Sequence, residues 1–271
     1  INGNERIGFK DTETPIIFVN CGNVIFLNPM RRTALLVFVF FFVTMAFGHP
    51  RFMYINVEPV SCQNYTYNVE FNYSQYVGSD ILMWSMEVKY GDGEYAHFSV
   101  SDGDIMLVRD DQALYKITQE HSYPGPGEYK ITVEHYRRDA GIMNMTSSVN
   151  TSLFVETTIT IDPYLGCNQT PKLENMPIQR NKQSVSYFND FSFVDKENDS
   201  LSFHFTTPLR DENLLVTGYW MPVEKDQSQV RNISKISMDP YNCSLSWNLK
   251  GLSGTYTVAM VVDEWRKVEG E

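Results

Sequence analysis

The sequence predicts an all-β protein, two tandem β-sandwiches behind a secretory leader, on three observations. Apolar residues recur at every second position, turn-forming residues separate those runs at sandwich spacing, and no segment carries a helical apolar stripe. With 42% hydrophobic and 14% aromatic residues the 271-residue chain has enough apolar material for a core, so disorder is excluded as its main state. The formal charge of −11 makes a surface that repels phosphate, which argues against nucleic acid as a partner.

The first element is the leader. Met30 opens a run in which Arg31 and Arg32 form a positive region, Ala34 to Met45 an apolar stretch, and Ala46-Phe47-Gly48 a small-x-small cleavage site. His49 and Pro50 end this run after roughly 15 residues, short of the 18 or more of a spanning helix. Residues 30–48 are therefore read as a signal peptide, and 1–29 as an upstream non-native or disordered segment. The mature chain is expected to be secreted, extracellular or on the outer cell surface, with no membrane span once the leader is removed.

The strands follow in order. Tyr65, Tyr67, Val69 and Phe71 alternate with Thr66, Asn68 and Glu70, and Tyr129, Ile131 and Val133 alternate with Lys130, Thr132 and Glu134. The same period marks Leu153 to Ile161, Leu201 to Phe205, Leu245 with Trp247, and Tyr256 to Val262. Each reads as a half-buried antiparallel strand. Gly91-Asp92-Gly93, Ser101 to Asp104, Pro124 to Gly127, Asn198-Asp199 and Asp239-Pro240 supply the turns between them. Asp162-Pro163 through Gly166 to Pro171 cannot continue a central strand, so 49–163 is read as one sandwich, 164–170 as a linker and 171–271 as the second.

Cys62, Cys167 and Cys243 follow the leader, an odd number that allows one intramolecular disulfide. Cys167 with Cys243 is the expected pair because both lie in the second half, although spacing alone does not fix connectivity. The absence of C-x-x-C spacing removes zinc-finger and thioredoxin readings.

Tyr90-Gly91-Asp92-Gly93, followed by His121-Ser122-Tyr123-Pro124-Gly125-Pro126-Gly127-Glu128-Tyr129, resembles the polycystic-kidney-disease (PKD) module. Met86-Glu87-Val88-Lys89 replaces its usual W-x-F. In the second half, Phe193 to Phe203, Ile236 to Pro240 with Leu245-Ser246-Trp247, and Gly254 to Val258 with Asp263-Glu264-Trp265-Arg266 resemble cadherin-like repeats of bacterial surface proteins. Most of 60–266 is similar to the N-terminal region of large secreted Bacteroidetes proteins whose far C-terminus carries a gliding-motility-associated sorting domain. The resemblance implies tandem Ig-like sandwiches, PKD-like then cadherin-like, in an N-terminal piece of a longer chain. It also implies a non-catalytic spacer or adhesion role in motility or adhesion, with neighbouring Ig-like repeats of the same chain, a surface protein or an extracellular polysaccharide as partners. The alternative is a carbohydrate-binding accessory region of a polysaccharide-degrading enzyme whose catalytic domain lies downstream.

Phosphate-loop, dinucleotide, H-E-x-x-H and G-x-S-x-G motifs are missing, and no enzymatic activity is expected. His121, beside Glu120, and His204, opposite Phe203 and Phe205, read as structural and solvated strand histidines. One loop does hold candidate chemistry. Asp195, Glu197 and Asp199 place hard oxygen ligands at alternate positions, the pattern of a Ca²⁺ site, with Asp162 or Asp263 available to complete the shell. The competing reading is a surface turn in which Asn198 and Asp199 cap their own backbone. Asp102, Asp104, Asp110 and Asp111 read as a solvated loop. Tyr73, Tyr76, Tyr136, Tyr164, Tyr219 and Trp220 are candidates for a sugar-stacking face, against ordinary core packing. Asn-x-Ser/Thr occurs at Asn64, Asn72, Asn144, Asn150, Asn168, Asn198, Asn232 and Asn242. In a eukaryotic secreted protein that density means a glycan coat, and under the bacterial resemblance it is chance.

Overall fold

The computed structural model describes residues 9–14, 50–76, 85–99, 102–109, 112–174, 186–222, 236–248 and 254–266. The signal-peptide reading of 30–48 lies outside them. The described chain is all-β, with antiparallel strand pairing throughout its sheets and a 3-10 turn at Ser148–Asn150. No helix among the described residues is long and apolar enough to cross a membrane.

Strand β1 (Phe9–Thr14) precedes the first unit, which comprises β2 (Phe52–Ser61), β3 (Thr66–Tyr76), β4 (Ser85–Lys89), β5 (Tyr95–Ser99), β6 (Asp104–Arg109), β7 (Gln112–Ser122), β8 (Gly127–His135) and β9 (Leu153–Ile161). They form two four-stranded sheets, β2-β3-β7-β6 and β5-β4-β8-β9. Alternation sends Ile55, Val57, Val69 and Phe71 of one sheet and Met86, Val88, Ile131, Val133 and Val155 of the other into one buried core. The Gly91-Asp92-Gly93 turn joins β4 to β5. Gly91 has φ +90, and a Cβ there would lie 2.6 Å from the Lys130 backbone nitrogen, so only glycine lets this turn press against β8.

The second unit comprises β10 (Lys172–Leu173), β11 (Ser186–Asp190), β12 (Phe193–Val194), β13 (Ser200–Thr206), β14 (Leu209–Asp211), β15 (Leu214–Leu215), β16 (Ile236–Met238), β17 (Ser244–Asn248) and β18 (Ala259–Arg266). The sheets β1-β18-β13 and β11-β17-β16 contribute Phe203, Met260 and Val262, and Tyr187, Ile236, Leu245 and Trp247, to a second core. Here β1, from the segment set aside in the sequence reading, pairs with β18 as an edge strand. Tyr256 to Val258 departs from the expected strand: it is buried but irregular, and pairing begins at Ala259.

The two units are not beads on a linker. The first six residues of β2 are buried on both faces; Met53, Ile55 and Val57 point into the first core, Phe52 and Tyr54 into the second. Strand β9, expected to be half-buried, is covered on both sides as well, with Phe154 and Thr158 buried on its outer face. Burying each such aromatic side chain stabilises by about 1.5–3 kcal/mol, so the sharing of β2 alone couples the units strongly. The segment between β8 and β9 adds a second contact. Fully buried Asn144 donates from Nδ2 to the Thr257 and Trp220 carbonyls at 2.7 and 3.1 Å and accepts from the Thr257 N–H at 2.9 Å. Arg138 Nη2 donates to the Leu209 carbonyl at 2.7 Å.

Candidate metal centre at the joint

The loop from β12 to β13 carries Asp195, Glu197 and Asp199. Asn198 within it sits at φ 62, a left-handed conformation that asparagine tolerates, and this lets the loop fold back on itself. The Asp199 N–H donates to Asp195 Oδ1 at 2.6 Å. Asp195, Asp199 and Glu264 then converge, each with a carboxylate oxygen within 4.8 Å of the others. That spacing is compatible with a cation bonded to oxygens at about 2.3–2.6 Å. Glu197 does not join them; its Oε2 accepts the Gln169 N–H at 3.4 Å. The other acids weighed as completing ligands also point elsewhere, since Asp162 Oδ1 caps the Tyr164 N–H at 2.8 Å and Asp263 Oδ2 pairs with His204 Nδ1 at 3.1 Å.

A positive charge already lies among these carboxylates. Arg266, two residues along β18 from Glu264 and therefore on the same strand face, brings Nη2 and Nε to 2.7 and 2.8 Å from Asp199 Oδ2. Its Nη2 also bonds Asn168 Oδ1 and lies 4.0 Å from Glu264 Oε1. From Nη1 it donates to the Leu165 and Cys167 carbonyls at 3.2 and 3.4 Å. Asn168 Nδ2 donates to fully buried Glu264 at 2.7 Å. A planar guanidinium with five donors suits this ring of acceptors, and a point-charge ammonium would not.

The electrostatics record the crowding. Burial first, then the Asp199 charge, push the Asp195 carboxyl above its ordinary range, against the Asp199 N–H bond and the Arg266 charge. Burial and the Asp195 charge raise Glu197 similarly. Asp195 Oδ2 is buried with no hydrogen bond among the described residues.

The linker is fastened by three further devices. A disulfide joins Cys62, in the turn after β2, to Cys167, so the expected Cys167–Cys243 pair is incorrect. Cys243 is instead a buried free thiol against Met238 and Met260, pushed up to about 12 by burial and therefore kept from thiolate chemistry. Thr170 donates its N–H to the Val57 carbonyl at 3.0 Å, accepts the Val57 N–H on its hydroxyl at 2.8 Å and accepts from Asn56 Nδ2 at 3.0 Å. Lys172 lies 3.7 Å from Glu70, which Lys116 approaches at 3.2 Å.

The remaining candidates fall apart in space or serve the fold. Tyr73 is fully buried and stacked on Tyr115 at 5.2 Å; Tyr219 and Trp220 are half-buried, and the Tyr76 side chain lies outside the described residues. Among the described side chains of the expected stacking face, Tyr136 and Tyr164 are the exposed ones. Asp102 caps the Ser99 N–H at 2.7 Å and Asp104 is exposed, while Asp110 and Asp111 lie outside the described residues. His121 pairs with Asp92, at 2.7 Å, rather than with Glu120, and stacks on Tyr90 at 4.0 Å. Sequence reasoning gave no part in a site to Glu264 and Arg266, named only within the cadherin-like block, or to Asn168 and Asn144, named only as Asn-x-Ser/Thr positions. The signal for the first two was the alternation of Glu264 and Arg266 in the charged end of a strand that begins Ala259-Met260-Val261-Val262.

This arrangement locks the linker to the last strand through a mixed cluster of carboxylates and one guanidinium. No protein-family model, no curated protein and no solved structure matches the chain, so its joint and its two cores stand as its own description.

Proposed function

We propose that the chain is a secreted, non-catalytic module of a larger cell-surface protein, a stiff two-unit spacer serving adhesion or motility. The observation that carries this reading is the joint, in which a shared apolar core, a disulfide and the Arg266 cluster all oppose movement of one unit against the other. A spacer that transmits force needs that property, whereas an enzyme needs a cleft. The first unit's strand order supports the Ig-like part of the reading. With β2 to β9 taken as A, B, C, C′, D, E, F and G, its sheets run A-B-E-D and C′-C-F-G. At the candidate metal centre Arg266 is the resident cation, so the joint does not depend on calcium.

The test has three readouts. N-terminal sequencing of the protein recovered outside the cell should begin at His49, a cleavage that removes β1 and leaves β18 as the edge of its sheet. Small-angle scattering from that protein should fit one rigid body over both units. Deleting the coding region for 49–266 in frame should abolish surface adhesion or motility while the rest of the protein is still exported. Confinement to the cytosol, or scattering that demands two independently moving units, overturns the proposal.

A further inference from the structure

We propose that Asn64, Asn150, Asn198 and Asn242 are N-glycan attachment sites, a step that rests on the secretion reading above. The first observation is statistical. Fifteen asparagines follow Gly48, and eight of them begin Asn-x-Ser/Thr, although serine and threonine together fill only about a sixth of those positions. The five asparagines before Gly48 begin none. Chance from a polar composition would give two or three after Gly48, so the excess is confined to the part of the chain that an export machinery would deliver.

The structure then divides seven of these eight asparagines, Asn232 lying outside the described residues. Asn72 is buried on strand β3 between Tyr54 and Lys116 of its neighbours, Asn144 is the fully buried clamp between the units, and Asn168 is bonded to Glu264 and Arg266. A sugar on any of these three amides would have to displace packed side chains. Asn64, Asn150, Asn198 and Asn242 are all exposed and all lie off the strands, Asn64 and Asn242 in turns, Asn150 in the 3-10 turn and Asn198 in the loop from β12 to β13. Their local bonds tolerate substitution at nitrogen. Asn242 accepts the Ser244 N–H through Oδ1, which a glycan on Nδ2 leaves in place. Asn150 gives up only an exposed bond from Nδ2 to Ser147 Oγ.

The chemistry is the transfer of an oligosaccharide from a lipid-diphosphate donor. Asparagine Nδ2 attacks the anomeric carbon, the C1–O bond to the diphosphate breaks, the lipid diphosphate leaves with that electron pair, and the amide loses one proton. The hydroxyl two residues on, from Thr66, Ser152, Ser200 or Ser244, completes the acceptor motif.

The protein should be recovered from the medium and surface of the cells that make it and mapped by glycopeptide mass spectrometry. Sugar-bearing asparagine is expected at two or more of positions 64, 150, 198 and 242, with none at 72 or 144. An exported protein carrying sugar at fewer than two of those four positions, or modified equally at 72 and 144, overturns the inference while secretion stands. A protein confined to the cytosol overturns both. Changing the four asparagines to glutamine should remove the glycans carried at those positions and move the melting temperature by no more than a few degrees, and a variant whose total glycan mass is unchanged overturns the assignment.

Discussion

At the scale of single residues, Asp195 separates the two accounts of the acidic cluster. Its folded carboxyl is raised chiefly by burial, so the folded state binds a proton more readily than the unfolded state. Stability therefore falls as pH rises from the ordinary carboxyl range through the raised value. Asp195→Asn keeps an oxygen for the Asp199 N–H and removes the charge, and at neutral pH it should melt at the same temperature or higher, with 10 mM Ca²⁺ shifting neither protein. If the variant melts lower in calcium and the parent protein is stabilised by it, the carboxylate is a metal ligand. Asp92 has the opposite sign. Burial works against its charge, but bonds from His121 and the Glu94 N–H win and hold its carboxyl below the ordinary range. Its contribution is present above the unfolded value near 3.9 and is lost as pH falls through the folded one. Asp92→Ala should cost about 2 kcal/mol, a fall of roughly 4–8 °C near neutrality, and should flatten the acid limb of a melting-temperature profile.

At the scale of elements, the connection between β8 and β9 is as structural as any strand. Asn144 makes three bonds in a fully buried setting, and its neighbour Met143 donates its N–H to the Thr255 carbonyl at 2.8 Å within a parallel bridge of Ile142 to Thr255. Truncation to alanine strands the Thr257 N–H and two carbonyls away from water. Asn144→Ala should cost about 3 kcal/mol, or roughly 6–12 °C in the melt. Hydrogen exchange should show Thr257 losing protection before the amides of β3 and β7. An unchanged melt would mean that water replaces all three bonds. Strand β2 shows why the element matters beyond its own sheet, since its run Phe52-Met53-Tyr54-Ile55 serves two cores and cannot be made polar on either face.

For the whole molecule, the disulfide decides how much of the joint survives mild unfolding. Cys62 and Cys167 are 105 residues apart, a loop long enough for closure to stabilise by about 4 kcal/mol. Cys62→Ser with Cys167→Ser should lower the melt by roughly 8–16 °C. Reducing agent should reproduce that fall in the parent protein and do nothing further to the double variant. A fall of under about 2 °C would show that the Arg266 cluster and the shared core hold the linker unaided.

The sequence by itself determined the all-β class, the places of most turns and the faces of β3, β8 and β17, because side-chain alternation and turn chemistry act between residues one to four apart. It also singled out the Asp195 to Asp199 loop, through spacing that is local. Only the tertiary structure decided what the loop meets. Arg266 reaches Asp199 across 67 residues, Asn144 reaches Thr257 across 113, and Cys62 finds Cys167 rather than leaving it to Cys243. Such pairings depend on how two sheets stack and on which strand is shared between cores, and neither leaves a periodic mark in the chain. The end of β9 at Asp162-Pro163 was legible for the same local reason. The fusion of the units was not, because burial of the second face of β2 is set by the packing of residues more than a hundred positions away.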